Sequence, residues 1–112
     1  MKNVRIRAAA GLVLSVCISA ASLAQTPETI KAGHDLAQKF CSRCHAIGHN
    51  GASPHPSAPP FRNIAAKGHA GNLEEALGEG IAVGHPDMPQ WRFGPRDVGA
   101  LISYLKSLSG KG

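Results

Sequence analysis

The chain has 112 residues, with twelve Lys and Arg against seven Asp and Glu, a formal charge of +5 and a pI near 9.5. That length suits one small domain, 43% apolar content with only 17% charged residues excludes a disordered polyelectrolyte, and three Cys are too few for a disulfide-dense scaffold. Such basicity suggests nucleic acid or an acidic partner, unless the charge sits in a segment that is not part of the fold.

Lys2, Arg5 and Arg7 are the only charges before Glu28. An uncharged run rich in Leu, Val, Ile and Ala fills Ala8 to Ala24 and closes on Ser22-Leu23-Ala24. Basic, then apolar, then small is the order of a secretory signal. Residues 1–24 are therefore expected to be a cleavable export signal and residues 25–112 the mature domain, which in a bacterium places it in the periplasm. The competing reading is a retained anchor, but the run is borderline in length for a span and is diluted by Ser15, Ser19 and Ser22. Cys17 makes a poor lipidation site, because Val16 stands where a small residue belongs. Without the first 24 residues, nine basic residues face seven acidic ones, a net +2. The nucleic-acid reading falls with that number.

The mature region reads as helical. Thr26-Pro27-Glu28 is an N-cap, an N1 proline and a first-turn acid. A first helix runs from there to about Phe40, with Ile30, Gly33/His34, Ala37 and Phe40 on one stripe. His49 to Pro60 carries four prolines and little apolar bulk. A short helical turn fits Phe61 to Ala66. Asn72 followed by Glu75 resembles a capping box and is expected to start the next helix, with Leu73, Ala76, Leu77 and Ile81 on its apolar side. Gly84 to Pro95 is again broken, and loops this long usually bind or wrap something. Gly94-Pro95-Arg96-Asp97 opens a last helix along Val98, Leu101, Ile102, Leu105 and Leu108, which Gly110 stops. No stretch alternates like a strand. Nineteen large apolar residues serve 88 positions, a core thin enough to imply a staple or a non-protein filling.

Chemistry concentrates in Cys41-Ser42-Arg43-Cys44-His45. Two thiols about one helical turn apart can add to the two vinyl groups of one haem, and the adjacent imidazole can bind its iron. A thioredoxin-like pair would follow a strand and open a helix, whereas this pair follows a helix. Structural zinc would need four ligands, for which Cys41, Cys44, His49 and His55 are candidates. A disulfide is the third alternative. If iron is held by His45, its sixth position needs a ligand. Met1 leaves with the signal, so Met88, in Gly84-His85-Pro86-Asp87-Met88-Pro89, carries the remaining thioether. Its rivals are His85, in the same loop, and then His49, His55, His69 and His34.

With these pieces in order, residues 25–112 resemble the class I (mitochondrial-type) c-type cytochromes of the small bacterial monohaem kind. Gly33-x-x-Leu36-Ala37-x-x-x-Cys41-x-x-Cys44-His45 resembles the family's first helix and haem motif. Ala58-Pro59-Pro60-Phe61 resembles its proximal proline loop, the Gly84–Pro89 segment its axial-Met loop, and Leu101-Ile102-x-Tyr104-Leu105-x-x-Leu108 its closing helix. The resemblance implies an all-α cytochrome c fold, three to four helices and long loops wrapped around one haem c attached through Cys41 and Cys44. It implies His45 and Met88 as axial iron ligands, and the Pro59 carbonyl as acceptor from His45 Nδ1. Gly33 is expected to meet Tyr104 where the first and last helices cross. Phe61, Ile64, Leu77, Trp91, Phe93, Leu101 and Leu105 are candidates for the haem wall, and Trp91 or Arg92 for a bond to a propionate. Lys39, Arg43, Lys67, Arg92 and Arg96 can form a weak positive docking rim. The implied function is one-electron transfer with no catalysis, as a monomer or as a subunit of a complex. The implied redox partners are a periplasmic dehydrogenase or a terminal oxidase or reductase, with no stable membrane insertion once the signal is removed. Two alternatives stand beside it: a haem subunit of a periplasmic dehydrogenase, and a haem enzyme with an open sixth site.

Overall fold

A computed structural model describes residues 25–80, 84 and 86–110, together with Gly11. The segment read as an export signal, Gly11 apart, lies outside the described residues, as do Ile81, Val83 and His85. Helix α1 spans Pro27–Phe40, α2 Phe61–Ala66, α3 Ala70–Glu79 and α4 Pro95–Ser107. Among the described residues there is no strand, so the all-α reading holds.

Helix α1 begins where its caps dictate. Thr26 Oγ1 accepts the Thr29 N–H at 3.2 Å, and Pro27 occupies the first turn, where a missing N–H costs nothing. Its buried stripe is Gly33 and Ala37, with Ile30, Leu36 and Cys41 packed partly against the core. Helix α4 also starts on a proline. It buries Val98, Ala100, Leu101, Ile102, Tyr104 and Leu105, and packs against all three other helices. Leu105, 1% exposed, is the most enclosed of these side chains.

Helix α3 departs from the sequence reading. Asn72 does not cap it: the helix starts at Ala70, and the Leu73 N–H already bonds the His69 carbonyl at 3.1 Å. The chain leaves α2 through Lys67 and Gly68, the latter at φ +72, which re-aims the backbone within two residues. The first turn of α3 therefore forms from non-capping residues, and Asn72 is displaced into it.

Helices α1 and α4 cross at Gly33. A β-carbon built there would overlap the Ala100 carbonyl and stand 2.7 Å from Tyr104 Cβ, so only glycine permits this approach. The Tyr104 hydroxyl then donates to the Ile47 carbonyl at 2.7 Å, a buried bond spanning 57 residues of sequence. His34 stands edge-on to the same ring, with centroids 5.3 Å apart. Gly33→Ala is expected to destabilise the protein by at least about 2 kcal/mol through backbone overlap. Gly99→Ala, where an added methyl meets nothing within 4 Å, is expected to be neutral or to stabilise by up to about 1 kcal/mol. Guanidinium unfolding curves of both variants check the pair.

Candidate haem site

The C-x-x-C-H run is a continuation of α1. The N–H groups of Cys41 and Ser42 bond the Ala37 carbonyl at 2.8 and 3.0 Å, and those of Cys44 and His45 bond the Cys41 carbonyl at 3.1 and 2.9 Å. These turns place Cys41 and Cys44 one turn apart along one coil. Burial pushes the Cys41 thiol up to about 11, with the neighbouring Cys44 adding to the effect. Such a site suits a sulfur that ends uncharged. The two thiols are not joined to each other.

His45 is 7% exposed. Its Nδ1 lies 2.7 Å from the Pro59 carbonyl oxygen. A carbonyl can only accept, so Nδ1 carries the proton and Nε2 keeps its lone pair. Phe61 stands edge-on to the imidazole, with centroids 5.4 Å apart. The Phe61 N–H bonds the Ala46 carbonyl at 2.9 Å, which ties the start of α2 to the residue after His45.

These groups face a cavity of about 400 Å³, within the range of cofactor pockets. Cys41, His45 and Met88 all line it. Its walls are apolar: Phe61, Ile64 and Leu73, then Leu77, Trp91, Leu101, Ile102 and Leu105. One polar stretch, Asn63, Lys67, His69 and Asn72, comes from α2, the following turn and α3. Gly84, at φ +76, also borders the cavity, and a β-carbon there would sit 3.9 Å from Met88 Sδ. An imidazole protonated on Nδ1, a thioether, a thiol and apolar walls are a donor set that suits an iron porphyrin.

Of the residues singled out in the sequence, Pro59, Phe61, Ile64, Leu77, Trp91, Leu101 and Leu105 line this cavity. Cys44 is half-buried and does not line it. Phe93 is set back, packing on Phe40 and Trp91 with centroids 5.4 and 5.8 Å away. Arg92 is also outside the cavity, its Nη2 donating to the Glu79 carbonyl at 2.9 Å at the end of α3. Lys39, Arg43, Lys67, Arg92 and Arg96 are all exposed. The four-ligand zinc alternative is overturned: no three His, Cys, Asp or Glu among the described residues gather as a metal site. Sequence reasoning missed Asn63 and Asn72 as lining residues. Both lie near helix ends, where hydrophobic periodicity carries no signal.

Residues 28–105 match the family described as "Cytochrome C oxidase, cbb3-type, subunit III". The chain belongs to this family of c-type cytochrome domains. Cytochrome c-552 of Bradyrhizobium diazoefficiens is 24% identical over 98 residues, covering 88% of this chain and 92% of the relative. No solved structure matches significantly. As a c-type cytochrome, the protein carries haem c bound covalently through its C-x-x-C-H segment and serves electron transfer. No helix among the described residues is long and apolar enough to cross a membrane.

Covalent attachment has a direct check. Haem is expected to stay with the denatured polypeptide in the native sequence and in Cys44→Ser, whose reduced pyridine adduct absorbs at longer wavelength because one vinyl remains unsaturated. The Cys41→Ser, Cys44→Ser double variant is expected to release its haem on extraction.

Proposed function

We propose that this cytochrome is a diffusible periplasmic one-electron carrier with His45 and Met88 as axial ligands. The observation that carries the reading is the shared cavity: His45 and Met88 both line it, with the His45 proton held on Nδ1 by Pro59. Bound haem c supplies an Fe(II)/Fe(III) couple. The chain's own residues do the rest. Pro59 fixes the imidazole tautomer and its orientation, so Nε2 presents the same lone pair in both oxidation states. Met88 offers a neutral, soft donor, which favours the reduced state and raises the potential relative to a second imidazole. Phe61, Leu101, Ile102 and Leu105 keep water out and move little, which limits reorganisation as charge changes.

Residues 1–24 serve as the export signal in this reading, with the domain starting at Gln25, next to the Thr26 cap of α1. Haem attachment outside the cytoplasm is consistent with that. Partners are a dehydrogenase on one side and a terminal oxidase or reductase on the other. Lys67, at the cavity edge, and the exposed Lys39, Arg43, Arg92 and Arg96 tune the encounter rate. A second reading, a haem subunit held within an oxidase complex, is favoured by the family description. Sedimentation of the protein from its native membrane and soluble fractions separates the two, since a carrier runs at monomer mass.

Met88→Ala tests the ligation. The ferric variant is expected to lose the near-infrared-edge band of thioether-ligated haem and to show a lower midpoint potential. It is also expected to bind imidazole on the order of tenfold tighter or more, because a tethered competitor is gone. A variant that keeps the thioether band sinks the assignment. One that shows the spectrum of a second imidazole points to His85.

A further inference from the structure

The loop between His45 and α2 is built around His55. The His55 N–H donates to the Cys44 carbonyl at 3.1 Å, and its own carbonyl accepts the Ala58 N–H at 3.1 Å. The Ser57 N–H donates to His55 Nδ1 at 3.1 Å. A backbone amide only donates, so Nδ1 is the bare nitrogen and Nε2 carries the ring's proton. That Nε2 lies 3.2 Å from Asp87 Oδ2. Asp87 directly precedes Met88, and the prolines on either side stiffen this stretch: Pro86 has its own φ fixed, and Pro89 restricts Met88.

We infer that His55 is a positioning residue for Met88: anchored to the haem-attachment segment at Cys44, it grips Asp87 and holds the Met88 thioether over the cavity. The inference rests on the reading of Met88 as an axial ligand. A thioether is a weak ligand, and its hold depends on how often the loop presents it. Fixing the neighbouring residue removes loop conformations in which sulfur is absent from the site, and so raises its local concentration. The route runs Cys44 carbonyl, His55 backbone, His55 ring, Asp87, Met88. It ties the segment carrying the attached face of the cavity to the loop carrying the opposite donor. The His55 ring is 29% exposed and Asp87 70%, so one partly solvated polar contact is at stake. Its loss is expected to shift the loop equilibrium by roughly three- to tenfold.

The test uses the full haem-loaded protein at one fixed pH. Imidazole affinity of the ferric form and the intensity of the thioether band are measured in wild type, Met88→Ala, His55→Ala, Asp87→Ala, the His55→Ala/Asp87→Ala double variant and Asp87→Asn. The expected result is imidazole binding roughly three- to tenfold tighter in both alanine variants, with a weakened band. The double variant is expected to be no worse than either single one, and Asp87→Asn, which keeps a carbonyl acceptor, is expected to recover most of the wild-type behaviour. Asp87 is on the surface, so its alanine variant reads the latch even if His55→Ala unfolds. Wild-type imidazole affinity in Asp87→Ala, while Met88→Ala binds it far more tightly, overturns the latch and leaves the ligation reading intact. Additive losses in the double variant overturn the pairing. No change in Met88→Ala removes the ligation reading, and the latch with it.

Discussion

The approach of α1 to α4 at Gly33 sets the rest of the molecule. Because no side chain stands between the helices there, Tyr104 comes down against α1 and its hydroxyl reaches the Ile47 carbonyl. Ile47 is two residues beyond His45. One end of the haem-attachment segment is thus the last turn of α1, and the other is pinned by α4. Burial raises the Tyr104 phenol above its ordinary range, so the hydroxyl stays a donor, as the bond requires. A tertiary contact between terminal helices therefore fixes the coil that carries Cys41, Cys44 and His45.

The thinness of the core follows from the same plan. Leu101, Ile102 and Leu105 are members of the buried cluster and also walls of the cavity. A residue that serves both roles packs on protein on one side and on the cofactor on the other. Haem is then part of the core, and the shortage of large apolar residues is the shortage expected when a macrocycle supplies the missing contacts. The cavity's polar stretch lies on α2, α3 and the turn between them. The faces given by α1, α4 and Trp91 stay apolar, which suits a group that is greasy over most of its area and charged at one edge.

Local chemistry made much of this readable from the residues alone. Thr26 and Pro27 mark the start of α1, Gly94 and Pro95 that of α4, and both helices begin there. The short helix at Phe61–Ala66 was readable as well. Helix α3 was displaced by three residues, its cap falling at His69 and not at Asn72, because its beginning is set by the left-handed turn at Gly68, not by a capping side chain. The cavity lining was partly readable: periodicity exposes Leu101 and Leu105, but not Asn63 or Asn72. Arg92 shows the other limit. Its type suits a propionate, yet its position over Gly80 gives it the Glu79 carbonyl instead. Such outcomes depend on which ends meet in space, and no spacing in the chain encodes that.

The segment from Gly48 to Pro60 is where sequence reasoning had least to offer, and its length has a physical reason. A loop joining His45 to α2 needs few residues to span that gap, since Phe61 already bonds Ala46. The extra residues are held by specific bonds. Ser53 Oγ accepts the Ala46 N–H at 3.0 Å, the Gly51 carbonyl accepts from Arg62 at 2.7 Å, and Ala58 is buried at 3% exposure. Four prolines lower the entropy lost in fixing this path. The loop returns to offer the Pro59 carbonyl to His45 Nδ1 at one end, and at its middle it carries the His55 ring toward Asp87. A shorter connection could do the first but would have no residue in reach of the second. The length of the loop thus follows from serving both the attached side of the cavity and the loop that carries the thioether.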